Sequence, residues 1–107
     1  METIGPGRFR VKLGEEIKVQ VDEDKTAFAV GYALNNFRDK MVDNTPLTFK
    51  AVKDPTHLVL AAGFSGDAGG LYHVVITGSE GGAPFNDTMQ QVGHSKIDIH
   101  EYEFVMV

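Results

Sequence analysis

Cysteine and tryptophan are both missing from the 107 residues. Without cysteine there is no disulfide, no thiolate nucleophile and no thiolate-ligated metal site. Basic residues are also scarce: ten Lys and Arg stand against fifteen Asp and Glu, for a net charge of −5. That balance excludes an extended nucleic-acid-binding face, because phosphate contacts need clustered cations. The nearest approach to a basic stripe is Arg8, Arg10 and Lys12, and it is short. Long apolar runs are lacking too. No segment approaches the ~18 consecutive apolar residues of a membrane-crossing helix, so no membrane partner is expected. The opening METIGPGRFRVKL carries no apolar leader segment. If Met1 is the native start, a cytoplasmic location is the expectation.

What the chain does have is alternation. In RFRVKL, Phe9, Val11 and Leu13 share one parity. In EIKVQVD, Ile17, Val19 and Val21 do the same. A period of two marks half-buried strands. A hairpin of these two strands would place Leu13 opposite Ile17 and Val11 opposite Val19. It would also set Lys12 against Lys18, a like-charge pair. A crossing from one sheet to another at Gly14 is the alternative.

Asp22 to Lys25 reads as a polar connection. TAFAVGYAL then divides by size, with Phe28, Val30, Tyr32 and Leu34 on one face and Ala27, Ala29, Gly31 and Ala33 on the other. Close packing sets small residues opposite large ones, so the facing sheet is expected to fill the small face. NNFRDKMVDNTP reads as a polar connector with room for one helical turn. LTFKAVK alternates again, and Asp54-Pro55 marks a turn. HLVLAAGF and LYHVVITGS read as two strands joined by a glycine turn, SGDAGG. TMQQV and a GHSK turn follow. In IDIHEYEFVMV the apolar parity switches near His100, which predicts a bulge or break.

Seven or eight short strands with regular turn signals and no long helix predict one all-β domain over residues 1–107. The expected fold is an antiparallel β-sandwich, immunoglobulin-like or jelly-roll, with a small β-barrel as the alternative. Helix is expected in under ~15% of residues, below the ordinary share.

Chemistry-bearing patterns are sparse. ITGSEGGAPFND holds Gly78, Gly81 and Gly82 but neither a GxGxxG frame nor a lysine, so it is no phosphate loop. As a binding loop it would use Glu80, Asn86 and Asp87 for polar contacts and Phe85 as an apolar platform, and Asn35 and Asn36 are further candidates. His57, His73, His94 and His100 lack the HxH or HxxxH spacing of a metal site, so no metal site is assigned. No cofactor is expected; the acidic loops are read as solvated turns, with calcium as the alternative, though no EF-hand spacing is present. No GxSxG elbow frames a serine, so no catalytic residue is named.

The expected function is therefore a non-catalytic binding or interaction module. Its partner would be a protein, a small molecule or a glycan, held by loops at the sandwich end. Homo-oligomerisation is part of that expectation. The alternatives are a lectin-like carbohydrate-binding domain, with or without calcium, and a small cupin-like enzyme.

Overall fold

The structure is a computed structural model describing residues 1–41, 45–90 and 95–106, with strand side chains outside 23–28, 64–71, 89–90 and 95–96. Eight strands form in chain order. They are β1 (Glu2–Gly5), β2 (Arg8–Val11), β3 (Glu16–Leu34), β4 (Phe37–Lys40), β5 (Leu47–Lys50), β6 (Thr56–Gly78), β7 (Phe85–Gln90) and β8 (Ser95–Met106). No helix is present among the described residues, so none is long and apolar enough to cross a membrane.

Two of these strands are far longer than the rest, and they build both layers. β3 and β6 pair antiparallel from Ile17↔Gly78 to Leu34↔Leu58, with a register shift between Asp24 and Thr26. On one side of the shift they carry β5 and β7, giving the four-stranded order β5-β3-β6-β7. On the other side they extend into β1-β2-β8-β6-β3-β4. The chain is thus a sandwich of packed six- and four-stranded sheets.

The β-sandwich expectation holds, but with ten strand segments rather than seven or eight. The difference comes from segments read as connections. Asp22 to Lys25 lies inside β3, and SGDAGG lies inside β6. Both are where a strand passes from one sheet to the other. The polar stretch after Asn36 is β4, not a helical turn, and it pairs with β3 from Gly31↔Lys40 to Leu34↔Phe37. Residues 42–44 of that stretch and residues 91–94, with half of the GHSK turn, lie outside the described residues.

Of the two readings of the first pair of strands, the crossing between sheets at Gly14 is the one that forms, not the hairpin. β2 pairs antiparallel with β1 and parallel with β8, whereas β3 begins in the other sheet. Gly14 adopts φ 81° in the crossing, and Leu13 is left 75% exposed. The like-charge pair that a hairpin would have imposed is avoided.

Phe9, Val11, Val19, Val74, Ile76 and Phe104 are all buried, as their parity predicts. Aromatic rings join the layers. Phe9 of β2 meets Phe85 of β7 at a centroid distance of 5.0 Å, and Phe104 of β8 meets Phe49 of β5 at 5.4 Å. Edge-to-face pairs of this kind add to the burial of the rings themselves.

Ile76 lies in the middle of the four-stranded sheet, between Val19 and Phe85. Ile76→Ala is expected to cost about 2–5 kcal/mol in a denaturant melt, the range for truncating a buried aliphatic side chain. A loss under ~0.5 kcal/mol, typical of surface positions, would show that Ile76 is not part of the core.

Candidate functional site

Two polar constellations stand out against this apolar interior. One lies at the 80–84 loop, and the other lies between the sheets.

At the loop, Glu15 is buried just before β3 and gathers three donors. The Met1 ammonium donates to Oε2 at 2.9 Å, the Lys12 N–H to Oε1 at 3.0 Å and the Glu80 N–H to Oε2 at 3.3 Å. The ammonium also donates to the Gly81 carbonyl at 3.0 Å. Burial alone would raise the Glu15 carboxyl. The Lys12 hydrogen bond, the ammonium and the Glu80 hydrogen bond outweigh it and hold the group below the ordinary glutamate value.

The loop glycines are explained by this ion pair. A Cβ on Gly78 would run into the Glu15 carboxylate and the Met1 side chain. A Cβ on Gly82, which also sits at φ 88°, would meet the Met1 carbonyl. So the glycines of ITGSEGGAPFND give room to the first residue and its counter-ion. A groove of about 640 Å³ lies alongside, lined by Arg10, Lys12 and Glu80 among others.

The structure separates the residues proposed from sequence. Glu80 borders the groove. Phe85 is half-buried and packs on Phe9 and on Tyr102, so its ring belongs to the core contact between sheets. Asn86 and Asp87 are strand residues of β7, pairing with Val75 and Val74. As strand neighbours they point to opposite faces. Asn86 is exposed, and Asp87 turns inward toward Tyr102. Asn35 and Asn36 form the two-residue turn between β3 and β4, with Asn35 at φ 52°. The Asn35 side chain accepts the His57 N–H at 3.1 Å, and its N–H donates to the His57 carbonyl at 2.8 Å. Asparagine suits that left-handed position.

The second constellation was not anticipated. β8 pairs with β6 in unbroken register from Thr56↔Phe104 to Ser65↔Ser95, so the predicted bulge at His100 is absent. Parity therefore stays constant. Asp98, His100 and Tyr102 face inward with Phe104, while Ile97 and Ile99 face out. Tyr72, buried on β6 in the opposite sheet, donates its hydroxyl to Asp98 Oδ2 at 2.6 Å. Its single proton is then committed, so the His100 Nε2–H is the donor in the 2.7 Å contact with the tyrosine oxygen. The signal was available: IDIHEYEFVMV contains no glycine or proline to break the alternation.

Burial pushes the Tyr72 hydroxyl well above the ordinary tyrosine value, and the Asp98 hydrogen bond adds to it. Tyr102 is raised by burial first and by the Asp87 carboxylate second. That carboxylate lies near the hydroxyl but outside good hydrogen-bond geometry, since the Tyr102 oxygen has no partner among the described residues. Chemically, the Asp98–Tyr72–His100 chain aims His100 Nε2 at the tyrosine oxygen and ties the two sheets together. Among the described residues, no group of three or more His, Asp or Glu side chains is arranged to hold a metal ion.

Two pH effects follow. Glu15 is held ionised below its ordinary value, so its contribution is full above pH ~4.5 and is lost as pH falls through the lowered value. Glu15→Gln is expected to cost about 1.5–3 kcal/mol at neutral pH, because the amide removes the charge opposite the ammonium and one of the two acceptor oxygens. The difference from wild type should shrink in acid melts, and a gap independent of pH would refute the ionised pair. At the alkaline end, an unfolded tyrosine ionises near pH ~10, whereas Tyr72 and Tyr102 stay protonated in the fold. Stability should therefore fall as pH rises above ~10. Absorbance at the phenolate band should show two tyrosines ionising only with unfolding, and Tyr72→Phe should leave one.

No known protein family, curated protein or solved structure matches this chain, so its function rests on the geometry of the molecule itself.

Proposed function

We propose that the chain is a non-catalytic protein-interaction module that docks its partner on the outer face of the six-stranded sheet. The supporting observation is the contrast between the two outer faces of one molecule. On the four-stranded sheet the outward positions are Glu16, Lys18, Gln20, Thr48, Lys50, His73, Thr77, Asn86 and Thr88, with Val75 among them. His73 and Thr88 join across strands there at 2.9 Å. That is the polar exterior a solvated sandwich carries.

On the six-stranded sheet the outward positions at the centre are Ala29, Gly31 and Ala33 of β3, Val59, Ala61 and Gly63 of β6, and Ile97 and Ile99 of β8. Ile97 is 75% exposed and Ile99 60%. The facing sheet does not fill Ala29, Gly31 and Ala33 of the small-residue face, contrary to expectation. Val30 of the large face is buried, and Tyr32 and Leu34 pack against the core. A contiguous apolar patch rimmed by charge is the mark of a docking surface. Edges offer a poorer route: β1, β4 and β5 have four residues each and β7 six, β4 carries Arg38, Asp39 and Lys40, and β7 carries Asp87. Short charged edges resist strand addition.

A photo-crosslinking side chain tests this reading. Placed at position 99 it should trap protein, whereas at position 18, on the polar outer face, it should trap only background. Equal yields at the two positions would remove the six-stranded face as the interaction surface.

A further inference from the structure

We infer that the partner on this face is a second copy of the same chain, related by a two-fold axis that runs along the strands between β3 and β6. The inference rests on the docking reading above and adds the identity and orientation of the occupant.

The argument comes from rows of residues crossing the sheet. Register places Arg38, Ala33, Val59 and Glu101 in one row across β4, β3, β6 and β8. The next row is Lys40, Gly31, Ala61 and Ile99, and the one after is Ala29, Gly63 and Ile97, beyond the end of β4. The patch therefore has a basic flank on β4 and an acidic flank on β8. Glu103, one row further, is already paired with Arg8 at 3.8 Å. Among the described residues neither Arg38 nor Glu101 has a salt-bridge partner, and both are exposed.

A pair of identical chains must meet through a self-complementary patch. Two in-plane axes keep the strands of facing sheets aligned. An axis across the strands lays each strand over its own copy, which stacks the basic flank on the basic flank. An axis along the strands, between β3 and β6, lays β4 over β8 and β3 over β6 within each row. Arg38 of each copy then stands over Glu101 of the other. Ala33 faces Val59 and Gly31 faces Ala61. Ile99 covers the aliphatic stem of Lys40, an apolar contact that leaves the ammonium at the rim. Ile97 falls beside Ala29 where β4 has ended. Large side chains thus meet small ones or open space, and opposite charges meet at both rims. The other axis loses the charge match.

Sedimentation velocity across a wide concentration range tests the pairing. Wild type should dimerise, and Ile99→Lys should be monomeric; because Ile99 is exposed in the single chain, the two should melt at the same temperature at concentrations low enough that wild type is also monomeric. Arg38→Glu and Glu101→Arg should each weaken association about tenfold at low salt, and the two together should restore it. A wild-type chain that stays monomeric at every concentration overturns the self-pairing. So does a dimer that survives Ile99→Lys, or an exchange that fails to restore association. The docking reading fails by a different result: position 99 crosslinking no protein better than position 18.

Discussion

A strand that leaves one sheet for another either takes its ladder partner with it or gives up the hydrogen bonds between them. In this chain β3 and β6 make the passage together. Their pairing runs from Ile17↔Gly78 to Leu34↔Leu58, interrupted where the register moves from Asp24↔Leu71 to Thr26↔Gly66, so the two strands stay ladder partners in both layers. Everything else is attached to this long folded pair. β5 and β7 flank one half, and β4 and β8 flank the other. The rings of Phe9, Phe49, Phe85 and Phe104 then fill the space between the halves. In β2, β6 and β8 the described side chains alternate between interior and exterior by parity, whereas β4 at the edge is exposed at every position.

The polar interior follows from the same layering. Glu15 sits at the crossing from β2 to β3, and its carboxylate collects donors from Met1, Lys12 and Glu80, which are remote from one another in sequence or separated by a turn. Tyr72 reaches from one sheet to Asp98 and His100 in the other. Such buried groups contribute less to net stability than an apolar contact of equal size, because their desolvation offsets much of the attraction. They do penalise alternative packings heavily, since a sheet that slid by one residue would leave a carboxylate or hydroxyl without a partner. The apolar core alone would tolerate such a slip far better.

The interior strands were legible in the sequence because their hydrophobicity and their parity agree. Val11, Val19, Val74, Ile76 and Phe104 sit on inward parities and are buried. The turn at Asn35-Asn36 was legible as a polar break, though not as a hairpin. The passage between sheets was not, because a strand that bends and a chain that turns both call for the soft, polar backbone seen in SGDAGG. Nor was the ion pair of Glu15 legible, since it joins residues brought together only by the fold. The candidate loop was visible as a glycine-rich element, but sequence could not show that Gly78 and Gly82 make room for Met1. Parity also separates Asn86 from Asp87, neighbours that sequence alone places together.

The hardest segment to read, IDIHEYEFVMV, is also the most informative. Hydrophobicity is the usual sign of an inward residue, and here it points the wrong way for Ile97 and Ile99. A reader who trusts hydrophobicity must insert a bulge at His100. A reader who trusts the alternation must instead accept an aspartate and a histidine inside the sandwich. The structure takes the second course because Tyr72 satisfies both groups from across the layers. Turning β8 over would bury the two isoleucines at the cost of exposing Tyr102 and Phe104, which anchor the aromatic contacts between sheets. The outward isoleucines are therefore tied to the inward polar pair: one strand cannot carry the Asp98–Tyr72–His100 tie inside without presenting Ile97 and Ile99 outside. A chain shaped only for solubility would put polar residues at positions 97 and 99, as it does at Lys18 and Gln20 on the other face. That it does not is the physical argument behind the proposal that a partner covers the six-stranded face.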